Sequence, residues 1–187
     1  MGDWDDPFRL IAERQAEKDA RVAADIYTEL RNMVLTTRPE ALGLRPADNE
    51  IWGVMMETGF TNAVVTLVAL ADGTVSVYLS NGGGTIGLGP KRGPGRAGKE
   101  LIALAQQFVV HAKPTSSFPL PLPGFMRFYL LSGNGVLAAE ANANDLAQGG
   151  QSLSPLFYKG QELLYEIRMV EEENRVAGPH SPTPNSK

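Results

Sequence analysis

The sequence predicts a single α+β domain: a mostly antiparallel sheet of about five strands with a long N-terminal helix, a central helix and a C-terminal helix packed on it. Three observations support this fold class. The chain has 187 residues, which is enough for one domain with a sizeable core. Hydrophobic residues (43%) and charged residues (20%) occur in globular proportions. Turn signals join the strand-like segments as hairpins, which favours antiparallel pairing.

The first predicted helix follows Asp6 and Pro7, which suit an N-cap and a first helical turn. Residues 1–20 are highly charged, so we expect this part of the helix to extend from the domain. Residues 36–49, rich in proline and glycine, end the helix. Between these segments, apolar side chains at spacings of three and four predict one buried stripe. That stripe comprises Val22, Ala23, Ile26, Leu30, Met33 and Val34.

Three strand-like segments follow at residues 50–60, 62–71 and 74–80. They are rich in Val, Thr, Leu and Tyr, and Asp72-Gly73 between the last two is a strong hairpin signal. In the third segment, valine and leucine alternate with serine and tyrosine. This alternation predicts that one face of the sheet is buried and the other wetter.

A central helix is predicted over residues 96–112, where apolar side chains recur at helical spacing before a proline-rich connector. A second hairpin is predicted at residues 125–141. The order of helices and hairpins resembles that of profilin-like and roadblock-type domains, which also wrap helices around a five-stranded antiparallel sheet. This resemblance is one of topology, and it assigns no function.

The C-terminal helix is predicted to begin at Ser154 and Pro155, a cap residue followed by a residue suited to the first helical turn. Residues 175–187 contain proline and polar residues without periodicity, so we expect a disordered tail. The main domain is accordingly expected at residues 21–174.

A glycine-rich, basic loop at residues 82–99 raises the question of phosphate binding. "GPGRAGKE", residues 93–100, follows the phosphate-loop motif G-x-x-x-x-G-K-[ST] except that Glu100 replaces the hydroxyl residue. A phosphate-loop enzyme also needs a parallel sheet, which the hairpins disfavour. Two interpretations therefore remain: a simple strand-to-helix passage, or a non-catalytic anion site at a helix N-terminus. The candidate anion-binding residues are Lys91, Arg92, Gly93, Gly95, Arg96, Gly98 and Lys99.

The sequence predicts no catalytic residue, no metal site and no cofactor. Cysteine is absent, and there are two histidines, of which His111 falls in the last turn of the predicted central helix. Glu57, Glu140 and Asp145 are candidates for a carboxylate pair, but their spacing does not place them together, so surface positions are expected.

Aromatic and methionine side chains suggest contact with another protein, because they dominate adaptable interfaces. The candidate interface residues are Trp52, Met55, Phe60, Phe157 and Tyr158. We therefore expect a non-catalytic module that binds a protein partner, with self-association to a homodimer included. The alternative is an anion- or phosphate-ligand-binding domain, enzymatic or not, that uses the loop at residues 82–99.

Charge and targeting signals narrow the partners and the location. The formal net charge of −4 argues against binding to the nucleic-acid backbone. The N-terminus carries three aspartates and no apolar run, and no stretch is apolar enough for a membrane span. A cytoplasmic protein with neither a membrane nor a nucleic-acid partner is expected.

Overall fold

The structure, a computed structural model, describes residues 7–177. The expected tail at residues 175–187 lies largely outside these residues, although its first three residues continue the last helix. The helices are α1 (Pro7–Thr36), α2 (Arg92–Ala105), α3 (Ala143–Ala147) and α4 (Ser154–Ala177). The strands are β1 (Ile51–Gly59), β2 (Val64–Leu70), β3 (Val75–Leu79), β4 (Gly84–Thr85), β5 (Lys113–Pro114), β6 (Phe125–Ser132) and β7 (Gly135–Asn142). Two 3-10 turns occupy Pro39–Leu42 and Gln106–His111.

One antiparallel sheet forms the centre of the fold, with strand order β4-β3-β2-β1-β6-β7-β5. The predicted α+β class, the antiparallel sheet and the three packed helices are confirmed. The sheet has seven strands instead of about five. The two additional strands, β4 and β5, are two residues long and lie at the two edges. A strand of two residues is too short to show alternation in the sequence.

Helices cover both faces of the sheet. The face that we call the α4 face packs against α2, α3 and α4 through a cluster that includes Val54, Leu67, Leu101, Phe128 and Leu163. The opposite face, called the α1 face, packs against α1 through a cluster that includes Tyr27, Leu35, Met55, Val68 and Tyr129. Ser76 and Tyr78 of β3 are buried on the α1 face. The prediction of a wetter face for β3 is therefore wrong, because α1 covers it.

The side of α1 that contacts the sheet differs from the predicted one. Tyr27, Arg31 and Leu35 are buried. From the predicted apolar stripe, Val22, Ile26 and Met33 are instead 49%, 52% and 61% exposed. The predicted buried stripe is thus wrong for these three residues. An arginine normally turns outward, but a buried acidic partner on β1 holds Arg31 against the sheet.

Two local boundaries also differ from the sequence expectation. Helix α2 begins at Arg92, four residues before its predicted start, and changes to a 3-10 turn after Ala105. Pro94 is tolerated there because the first turn of a helix does not need its N–H groups. Helix α3 was not predicted. Its cap is Asn142, whose side chain accepts hydrogen bonds from the backbone N–H groups of Asn144 and Asp145.

Candidate functional site

A row of polar side chains crosses the α1 face of the sheet. Strand register places Glu140 opposite Arg127, Arg127 opposite Glu57, Glu57 opposite Thr66, and Thr66 opposite Tyr78. Directly paired residues project from the same face of a sheet, so these five side chains form one row across five strands. We call these five residues the polar row.

Two residues of α1 bind the centre of the polar row. Arg31 Nε donates to Glu57 Oε1 at 2.7 Å, and Arg31 Nη2 donates to Glu57 Oε2 at 2.9 Å. Thr66 Oγ1 donates to Glu57 Oε1 at 3.3 Å, and the hydroxyls of Tyr27 and Thr66 lie 2.9 Å apart. The Glu57 side chain is 0% exposed. The expected surface position of Glu57 is therefore wrong. Its carboxylate can be buried because the bidentate arginine compensates its charge.

The pKa values around the Arg31–Glu57 ion pair indicate a structural role. Burial acts to lower the pKa of Arg31, but the hydrogen bond and charge of Glu57 outweigh it and raise that pKa above its ordinary value. Burial, with the Glu57 charge, raises the pKa of Tyr27 to about 12. The guanidinium therefore stays charged and the tyrosine stays protonated at neutral pH. A carboxylate enclosed in this way holds α1 on the sheet and has no open position for a substrate.

Arg127 of the polar row, together with Tyr129 on the same strand, also fixes the proline-rich connector before β6. The backbone carbonyl of Pro119 accepts hydrogen bonds from Tyr129 Oη at 3.0 Å and from Arg127 Nη1 at 2.8 Å. Arg127 also forms an ion pair with Glu140. One end of the polar row is thus tied to the connector, and its middle is tied to α1.

The outer side of α1 carries an exposed apolar stripe formed by Val22, Ile26 and Met33. With 3.6 residues per turn, these three positions fall within about 40° of one another around the helix axis, and Arg31 lies about 160° from their centre. The stripe therefore faces directly away from the sheet. The three side chains are on average about half exposed.

Four charged residues lie along one side of this stripe, and their sign changes from positive to negative along the helix. Lys18 and Arg21 lie toward the N-terminus of α1, and Asp25 and Glu29 lie toward its C-terminus. All four are exposed. Helical geometry places them within about 80° of one another on the same flank. The flank is thus basic at one end and acidic at the other.

The basic, C-terminal part of the glycine-rich loop forms the start of α2. Gly93, Gly95 and Gly98 lie inside α2, and the N–H of Gly95 donates to the carbonyl of Lys91. Arg96 forms ion pairs with Glu100 and Glu166. The antiparallel sheet gives this segment a setting unlike that of a phosphate-loop enzyme.

Close packing explains the small residues around this helix start. A Cβ at Gly93 would overlap the carboxylate of Glu166, and a Cβ at Gly95 would overlap the carbonyl oxygen of Gly89. At Gly98 a Cβ would lie 2.8 Å from Val75 Cγ2. Lys91, Arg92 and Lys99 are exposed. These contacts give the glycines a packing role, whereas anion binding by the seven candidate residues stays a prediction.

The predicted interface residues separate into two groups. Trp52 and Met55 are buried on the α1 face, so the expectation that they form an exposed interface is corrected. The pairing of β1 with β6 shifts register between Ile51 and Gly53, and at this irregularity the Trp52 side chain lies on the α1 face. There Trp52 Nε1 donates to the carbonyl of Ser132.

Phe60, Phe157 and Tyr158 keep some exposure. Phe60 and Tyr158 are exposed, while Phe157 is half-buried. The hydroxyl of Tyr158 donates to the carbonyl of Ala147. Phe157 and Tyr158 lie in α4, which packs on the face of the sheet opposite α1.

The remaining candidates for chemistry are dispersed. Asp145 is exposed in the first turn of α3, and His111 is exposed in the second 3-10 turn. Between residues 7 and 177, no group of three or more histidine or acidic side chains is placed to hold a metal ion. Within the same described part of the chain, no helix has the length and apolar character needed to cross a membrane.

Comparison with protein-family models, with curated proteins and with solved structures found no match to the chain. Function is therefore argued from the geometry of the described residues.

Proposed function

We propose that this protein is a non-catalytic module that associates with a second copy of itself through the outer side of α1. The observation that supports this proposal is the orientation of α1. The helix turns Arg31 inward to Glu57 and leaves Val22, Ile26 and Met33 outward. The free energy is lowered when a partner covers an apolar helical stripe that is otherwise exposed to water.

The spacing of the stripe allows an antiparallel pair. If two α1 helices cross near residue 24, Val22 of one copy lies opposite Ile26 of the second copy, and the reverse contact follows by symmetry. Helix α1 has 30 residues and is about 45 Å long, so two such helices have room to align.

The charged flank supports the same arrangement. A two-fold axis at this crossing brings the same flank of both helices together, so Lys18 lies near Glu29 of the second copy, and Arg21 lies near Asp25 of the second copy. In a parallel pair this flank would instead face the other side of the second helix, where the half-buried Ala23 lies. Opposite charges that face each other fix the orientation of a helix pair, so the antiparallel pair is favoured.

Sedimentation velocity over a range from micromolar to near-millimolar protein tests this proposal. We expect a weak monomer–dimer equilibrium, because the stripe is narrow. Ile26→Glu should shift the protein to monomer and leave the circular dichroism spectrum unchanged. Val110→Glu, at a side chain that is 83% exposed and lies outside α1, is the matched control and should dimerise as the wild type does. A wild type that stays monomeric throughout would overturn the proposal.

A charge exchange gives a second, more specific test. Lys18→Glu should weaken the dimer, because it places a negative charge near Glu29 of the second copy. Adding Glu29→Lys in the same chain should restore the dimer, because the opposite charges again face each other. If the double variant dimerises no more tightly than Lys18→Glu alone, the antiparallel arrangement is wrong.

A further inference from the structure

The two faces of the sheet differ in how completely they are packed. On the α4 face the fit is close: a Cβ at Gly98 would lie 2.8 Å from Val75 Cγ2, and a Cβ at Gly160 would overlap the side chain of Met56. On the α1 face, a cavity of about 170 Å³ lies between the C-terminal half of α1 and strands β2 and β3. Atoms that line a gap lose packing contacts, so the cavity weakens the attachment of α1.

A buried hydroxyl beneath α1 also weakens this attachment. Tyr78 of β3 is 5% exposed, and its Oη is the one buried side-chain polar atom without a hydrogen-bond partner in the part of the chain that the structure describes. Its ring packs edge to face against Tyr27 of α1, with the ring centroids 5.9 Å apart. A buried hydroxyl without a partner is destabilising, and water would satisfy it once α1 moved away.

The Arg31–Glu57 ion pair orients α1 but does not prevent its release. The two side chains are 8% and 0% exposed, so both charges are removed from water in the folded protein. The cost of this dehydration offsets much of the attraction between the charges. When α1 separates from the sheet, both charges regain their hydration together.

The segment between α1 and β1 lets the helix move while the strands stay paired. None of the side chains at residues 37–46, all of which the structure describes, is buried, although Leu42 and Leu44 are half-buried against the α1 face. Just beyond this segment the chain is fixed, because the N–H of Asn134 donates to the carbonyl of Asp48. A tether of ten residues spans up to about 33 Å.

We propose that α1 is a releasable cover of the sheet, which separates as one unit on the tether of residues 37–46 while the sheet, α2 and α4 stay folded. The α4 face has its own apolar cluster, which includes Phe128 and Leu163 and contains no described residue of α1. Release uncovers the α1 face, with Met55 and Tyr129. The proposal rests on the inner side of α1, so it is independent of the proposed pairing of the outer side.

Hydrogen-exchange mass spectrometry on the full chain, at low micromolar protein, measures this opening. A helix that leaves the sheet loses most of its stability, because packing stabilises helices more than propensity does. The amides of residues 27–35 should therefore exchange through one common opening, with protection factors about a hundredfold or more below those of β1 and β6. Urea should accelerate their exchange less steeply than that of the strands, because the opening exposes less surface than global unfolding.

A variant on the α4 face separates release of α1 from global unfolding. Ile167 of α4 is 1% exposed, and Ile167→Val should make exchange in β1 and β6 about fivefold faster. Exchange in α1 should stay as in the wild type, because the α4 face is intact both before and after release. Acceleration of α1 together with the strands would mean that α1 leaves only when the whole domain unfolds.

A variant on the α1 face tests the physical cause. Tyr78→Phe removes the unpartnered hydroxyl and should make exchange in α1 about fivefold slower. Tyr165→Phe, at a tyrosine of α4 that is 60% exposed, is the matched control and should leave α1 exchange unchanged. Equal protection of α1 and the strands in the wild type overturns the proposal. So does acceleration of α1 in Ile167→Val, or exchange of α1 in Tyr78→Phe that is no slower than in the wild type.

Discussion

Arg31 and Glu57 form a bidentate ion pair that joins α1 to the middle strand of the sheet, with both nitrogen–oxygen distances below 3 Å: 2.7 and 2.9 Å. The two residues are 26 positions apart in the chain. Together with the packing of Tyr27 and Leu35 against the sheet, this pair fixes the rotation of α1 about its axis. It turns the arginine inward, and it thereby exposes the apolar stripe on which the proposed self-association depends.

Removing one partner of this pair should destabilise the fold. We expect Arg31→Met to lower the free energy of unfolding by about 3–5 kcal/mol, because the buried carboxylate of Glu57 would lose its compensating charge. Urea unfolding measures the change. Arg168→Met, at an exposed arginine of α4 outside the proposed interface, is the matched control and should change stability by less than about 0.5 kcal/mol.

The double variant Arg31→Met/Glu57→Leu separates the pair from its surroundings. It should recover much of the loss, because no uncompensated charge stays buried. A loss of stability in Arg31→Met no larger than that in Arg168→Met would show that the pair does not hold α1.

Alkaline pH should destabilise the protein through its buried tyrosines. The pKa of Tyr27 is raised to about 12 in the folded state, from an ordinary value of about 10. A group whose pKa is raised by folding contributes stability that is complete below its unfolded pKa and is lost as pH rises through its folded pKa. The free energy of unfolding should therefore fall between about pH 10 and 12.

Burial also raises the pKa values of Tyr78 and Tyr129, so their contributions have the same sign. Urea unfolding at a series of alkaline pH values measures the fall, and ultraviolet absorbance of tyrosinate follows the titration. In Tyr27→Phe the fall should be shallower. Stability that stays flat through this window would contradict the buried arrangement of these hydroxyls.

The packing role of the loop glycines leads to a third prediction. A Cβ at Gly89 would overlap the carbonyl oxygen of Gly73, which is backbone and cannot rotate away. We expect Gly89→Ala to lower the free energy of unfolding by about 2 kcal/mol or more. Gly150→Ala is the matched control, because an added Cβ there meets no atom within 4 Å.

Thermal or urea unfolding of both variants measures the difference. Equal stability of the two variants would mean that the close packing of Gly89 against the Gly73 carbonyl does not contribute to stability. Its glycine would then require another explanation, such as close contact with a bound anion.

Local signals predicted much of the fold, and long-range contacts account for the rest. The Asp72-Gly73 turn and the Ser154-Pro155 helix start depend on neighbouring residues, and both lie where the sequence places them. The rotation of α1 was missed because periodicity assigns an arginine to the outer side of a helix. Only its pairing with Glu57, distant in the chain, reverses that rule.

The exposed stripe of α1 was missed for the same reason. The sequence identified Val22, Ile26 and Met33 as an apolar stripe, but it assigned them to the core. A signal was present in β1, where Glu57 is the one charged residue of a nine-residue strand that is otherwise mostly apolar. A lone acidic side chain in a buried strand requires a basic partner from a neighbouring element.

The distance between two spin labels in the dimer tests the central claim most directly. The chain has no cysteine, so Glu17→Cys and Ala24→Cys, at exposed positions outside the stripe and its charged flank, each introduce a single labelling position. In an antiparallel pair that crosses near residue 24, the two labels at position 17 are offset along the axis by about 21 Å, whereas those at position 24 lie at nearly the same height.

Pulsed electron resonance on each labelled variant, at a concentration that populates the dimer, should therefore give a clearly longer distance for position 17 than for position 24. Equal distances at the two positions would indicate parallel pairing. No dipolar coupling at either position would show that α1 does not form the interface, and either result would contradict the proposed self-association.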